Sequence, residues 1–140
     1  MPKVTMMTKD TLIAGTSIGE WNRSWVKLPG GLFRLPSDFR YFVGLFRVRL
    51  GGEVKFIGCA REPGNGGITK RLRDFTRKSS GGRDHYAGEL IHQHRHDVEI
   101  DVIVMGIDEA AGYAAQRLKN ALLHVSPPPW NVRASSTRRG

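Results

Sequence analysis

Cysteine is nearly absent: Cys59 stands alone among 140 residues. A lone thiol excludes an internal disulfide and suits a reducing compartment, so a cytoplasmic location is expected. No apolar run approaches the ~18–20 residues of a spanning helix, which argues against a membrane partner. The opening MPKVTMMTKDTLIAG has a basic residue but no sustained apolar stretch after it, and it reads poorly as a signal peptide. Acidic residues are few, 13 against 22 Lys and Arg, leaving a formal charge of +9. That balance favours polyanionic partners, nucleic acid first and an anionic membrane surface less readily; the plain alternative is a basic soluble protein. No internal repeat is visible, and the pattern G-x-x-x-x-G-K-[ST] of a phosphate-binding loop is missing.

What remains is ordinary for one globular domain: 39% hydrophobic and 25% charged residues. The informative stretch is Tyr41 to Arg77. Phe46, Val48 and Leu50 alternate with Arg47 and Arg49, the period of a half-buried strand. Gly51 and Gly52 supply the positive φ of a two-residue hairpin turn, and Val54, Phe56 and Gly58 return as a second strand alternating with Lys55 and Ile57. A glycine-rich loop leads into a basic helix with Ile68, Leu72 and Phe75 on its apolar stripe and Lys70, Arg71, Arg73, Arg77 and Lys78 over the rest. Such a loop can offer backbone N–H groups to a phosphate, a weak signal by itself.

After the break SSGGR, HYAGELIHQHR predicts a second short helix with Tyr86, Leu90 and Ile91 inward. VEIDVIVMG predicts a strand apolar on both faces towards its end, hence central or well covered. Asp108 is placed to cap a final helix from Glu109 to about Val125, and SPPP stops it. Residues 1–40 read as a covering extension whose Trp21 and Trp25 pack on the core or, alternatively, stack on nucleic acid; 133–140 read as a basic flexible tail. The expected fold class is α+β: a small three-stranded antiparallel sheet with helices on its faces, in the order ββααβα.

The order of these elements, with Gly44-Leu45-Phe46 in the first strand and Phe56-Ile57-Gly58 in the second, resembles the GIY-YIG nuclease superfamily over residues 41–132. Lys70-Arg71-Leu72 matches the family's arginine motif, and Pro127-Pro128-Pro129-Trp130-Asn131 matches its proline turn and closing asparagine. The resemblance implies a phosphodiester-cleaving site with one divalent cation (Mg or Mn) held by a helix glutamate. Tyrosine hydroxyls would handle the attacking water and an arginine would steady the phosphate. Here the pattern is degenerate. Phe46 and Phe56 replace both tyrosines, and the glutamate position, twelve residues before Asn131 and just ahead of Leu122-Leu123, holds Lys119. An ammonium there repels a metal yet can face a phosphate.

The leading expectation is therefore a nucleic-acid-binding pseudoenzyme without cofactor, DNA ahead of RNA. Its surface would comprise Arg47, Arg49, Lys70, Arg71, Arg73, Arg77, Lys78 and Lys119, with Arg71 the one retained member of the catalytic set. One alternative is an active metal-dependent endonuclease with a relocated carboxylate, Glu109 first and Glu89 or Asp74 behind it. Another is a structural protein docking an acidic protein partner. His85, His92, His94 and His96 are alternative metal ligands and Cys59 an alternative nucleophile; a solvated helix end and a small buried filler are the simpler readings.

Overall fold

A computed structural model describes residues 7–77 and 86–132. Lys78, His85, the break at 79–83 and the 133–140 tail therefore lie outside the described residues. The chain runs through a small hairpin, β1 (Leu12–Ile13) and β2 (Thr16–Ser17), into a single-turn helix, α1 (Ile18–Trp21). Next come β3 (Val26–Leu28), β4 (Val43–Leu50) and β5 (Glu53–Ala60). Helices α2 (Gly67–Asp74) and α3 (Tyr86–Gln93) follow, then β6 (Glu99–Gly106) and α4 (Glu109–Val125). The Asp108 cap is realised: its carboxylate accepts from the Ala111 N–H at 2.9 Å.

Among the described residues the main sheet is antiparallel and four-stranded, in the order β3-β6-β4-β5. The expected three strands are thus corrected to four. The extra one is β3, whose three residues pair with β6 from Val26↔Val102 to Leu28↔Ile100. Three residues are too few to show an alternation, so the pairing leaves no periodic trace in the sequence. The hairpin β4–β5 turns at Gly51 and Gly52, with φ of 63° and 85°, as its two-residue loop requires. Its register slips once: Val48 faces Phe56 but Arg49 faces Val54, leaving Lys55 as a bulge. Val54 and Phe56, expected on one face, consequently pack on opposite faces of the sheet.

Both faces are covered. On one, α2 and α3 set Ile68, Leu72, Phe75 and Ile91 against Phe46, Val48 and Ile100. On the other, α4 sets Ala115, Leu118 and Leu122 against Leu45, Ile57 and Ile103. The N-terminal segment extends that second layer. Trp21 donates its indole N–H to the Ile13 carbonyl at 2.8 Å, and the Trp25 ring lies under the Arg47 guanidinium at 4.6 Å. The tryptophans pack on the domain, as one of the two expectations had it.

Because this face is covered, Arg47 and Arg49 are not solvent-facing. Asp101, 3% exposed in the middle of β6, accepts from Arg47 Nε at 2.6 Å and from Arg49 Nε at 2.7 Å. Arg49 reaches Glu99 at 2.6 Å, and Lys27 closes the row on Glu99 at 3.0 Å. A carboxylate buried this deeply is costly unless paired and hydrogen-bonded, and two arginines provide both. Burial pushes the Asp101 carboxyl up, but the hydrogen bonds and charges of Arg49 and Arg47 outweigh it and hold the group below its ordinary value. The same contacts raise Arg49, its bond to Asp101 foremost.

The depressed Asp101 value makes a stabilising contribution above the ordinary carboxylate range of ~3.9, lost as pH falls through the folded-state value. Asp101→Asn is expected to lower unfolding free energy by about 3 kcal/mol, because the arginines keep their charge and lose their acceptor. Urea unfolding at neutral and acidic pH checks both: the gap between wild type and variant should narrow as the pH drops.

Candidate nucleic-acid interface

Beside the outer edge of β5 lies a cleft of about 500 Å³ between α2, α3 and α4. Its lining includes Phe46, Phe56, Arg71, Lys119 and Asn131. Residues chosen from positions 46 to 131 of the sequence thus converge on one hollow.

Each arrives by a local rule. Phe46 and Phe56 sit on the α2 and α3 face of neighbouring strands, their ring centroids 6.0 Å apart. Gly58 is the space that admits them: a Cβ there would lie 2.6 Å from Phe46 Cζ and 2.8 Å from Phe56 Cε2. Arg71 follows from α2, which buries Ile68 and Leu72 and so turns the next position to the helix flank. Gly67 starts that helix at φ 59°, where a Cβ would sit 2.3 Å from the Phe42 carbonyl. Lys119 follows the buried Leu118 on α4 and lines the cleft.

The electrostatics of the hollow are read most simply at Cys59. Burial pushes its thiol pKa up, while the charges of Lys119, Arg71 and Arg61 all pull it down. Its Sγ lies 3.8 Å from the Gln116 amide oxygen, to which Arg61 also donates at 3.2 Å. A raised thiol is a poor nucleophile, and the small buried filler is the reading that fits. Arg61 is not among the residues expected at the site; its place three residues beyond Gly58, the last expected strand position, is the available signal. Asp74 is the carboxylate of the lining, and it is engaged by Lys70 at 3.0 Å.

That donor set does not fit a divalent cation. Arg61, Arg71 and Lys119 line the cleft, and its carboxylate, Asp74, is already engaged by Lys70. Glu109 is exposed at the start of α4 and does not line the cleft. The described histidines diverge. His92 Nδ1 lies 2.8 Å from the Phe75 carbonyl, His94 stacks on Trp130, and His96 stacks on Phe33. Among the described residues, no three metal-ligating side chains come together.

The remaining candidates separate. Lys70, Arg73 and Arg77 lie on the other flank of α2, where with Arg40 they line a second basic hollow of about 360 Å³. Arg47 and Arg49, committed to Asp101, are not brought to either hollow.

Asn131 lines the cleft, but its amide is already used. Its Nδ2 donates to the Ile57 carbonyl and its Oδ1 accepts from the Ile57 N–H, both at 2.9 Å. With the Trp130 N–H donating to the Lys55 carbonyl at 2.8 Å, the segment after α4 lies along the edge strand as a strap. The side chain stands in for the missing neighbour of a strand.

No family model, curated protein or solved structure matches this chain.

Removing the Asn131 amide orphans one donor and one acceptor on β5. Asn131→Ala is expected to cost about 2 kcal/mol and to speed hydrogen exchange at the Ile57 amide selectively. Uniform loss of protection across the sheet, with Ile57 unexceptional, would contradict the clamp.

Proposed function

We propose that the chain binds nucleic acid through a GIY-YIG-like domain that grips phosphate and does not cut it. The observation that carries this reading is the shared cleft. Arg71, at the family's arginine position, and Lys119, at its glutamate position, line one hollow whose other pattern positions are two phenyl rings and an asparagine bound to backbone. Phenyl groups neither orient nor deprotonate water, so the two tyrosine positions of the family pattern hold no group for the acid–base part of a hydrolysis. Arg71 and Lys119 have no ion-pair partner among the described residues, and two unneutralised cations at one hollow attract an anion. The basic flank of Lys70, Arg73 and Arg77 extends the attraction along α2 to neighbouring phosphates. DNA is the preferred partner.

Binding of this kind depends steeply on salt, since each phosphate neutralised releases condensed counterions. Arg71→Ala and Lys119→Ala are each expected to weaken binding several-fold and to lower the slope of log affinity against log salt by about one. Plasmid incubated with Mg²⁺ or Mn²⁺ should stay intact, and Lys119→Glu alone should not create nicking because positions 46 and 56 still carry no phenolic hydroxyl. Metal-dependent nicking abolished by Glu109→Ala would instead establish the relocated-carboxylate nuclease.

A further inference from the structure

We infer that the cleft receives one unpaired nucleotide, with its phosphate against Arg71 and Lys119 and its base against the rings of Phe56 and Tyr86. This rests on the nucleic-acid reading above and narrows its substrate to single strands or exposed ends. Three observations carry it. The first is composition. A groove that only follows a backbone needs cations, yet this one is lined by Phe56, Phe75, Tyr86 and Trp130 as well as by Arg61, Arg71 and Lys119. Cations joined to aromatic faces are what single strands require, because each exposed base offers a π-face.

The second is shape. About 500 Å³ falls within the range of pockets that enclose small organic ligands, so a base fits inside while its phosphate stays at the rim. A duplex keeps its bases paired and stacked, and opening a pair to fill the hollow costs it energy that a single strand does not spend. Phe56 is half-buried, leaving part of its ring available, and Phe46, 2% exposed, supports it from behind.

The third is the state of the polar groups. Asn131 is bound to Ile57, Gln116 to Arg61 and Asn120, and Asp74 to Lys70. With its amides and carboxylate engaged, the cleft has little with which to read base edges, and stacking tolerates any sequence.

The test is fluorescence anisotropy at one fixed salt concentration, using labelled single strands of about ten nucleotides and a blunt duplex of equal length. The single strands are expected to bind tighter than the duplex, with oligothymidylate and oligoadenylate alike. Phe56→Leu and Tyr86→Leu, which keep apolar bulk, should each weaken single-strand binding roughly tenfold and leave the salt slope unchanged. Circular dichroism melting verifies that both variants fold, and Tyr86→Leu alone decides the matter if Phe56→Leu does not. Duplex binding as tight as single-strand binding, or single-strand affinity unmoved in the folded variants, overturns the inference. If Arg71→Ala still weakens binding in that case, the phosphate grip survives and only the nucleotide pocket falls. If the wild type binds neither probe, the nucleic-acid reading fails and takes the inference with it.

Discussion

The cleft depends on one side-chain amide. Asn131 completes the hydrogen bonding of Ile57 on the edge of β5, and through that clamp it fixes the strap that follows α4. Trp130 comes with it, 9% exposed, as a wall of the hollow and a stacking partner for His94 beyond α3. An edge strand needs some cover for its unpaired backbone groups, and here the cover is also a wall of the site. Stability and site geometry therefore share a residue.

On the far side of the sheet a second constraint operates. Asp101 sits where an aliphatic side chain would otherwise continue the α4 core, and it fixes Arg47, Arg49 and, through Glu99, Lys27 in one row across β4, β6 and β3. A row of alternating charges specifies strand register more sharply than apolar contacts, because a slip by one residue would separate every pair. Three of the cations that make the chain look like a nucleic-acid binder by composition, Lys27, Arg47 and Arg49, are part of this row.

Much of the architecture was legible because periodicity is a local property. The Gly51-Gly52 turn, the Ile68–Leu72–Phe75 stripe and the Asp108 cap each announce themselves within a few residues. The convergence of Phe46, Phe56, Arg71, Lys119 and Asn131 was legible only through a family pattern, since nothing local joins position 46 to position 131. Arg47 and Arg49 were misplaced for a physical reason. Alternation tells which residues share a face, and it is silent on whether that face is covered. The clue lay elsewhere, in an aspartate inside the apolar run of β6, which demands cations from the adjacent strand. The Lys55 bulge and the three-residue β3 were invisible because each breaks or falls short of a period.

The clamp joins residues 74 positions apart, and that separation has a consequence for assembly. Loop closure over such a distance is entropically unfavourable until the intervening elements are in place, so the strap closes late. On a ribosome, the hairpin and α2 emerge well before Asn131 does, and during that interval β5 carries a bare edge next to basic side chains. The nascent domain passes through a stage in which it is sticky in two ways, by backbone and by charge. How fast the strap follows then governs how much of the protein escapes pairing with a neighbour.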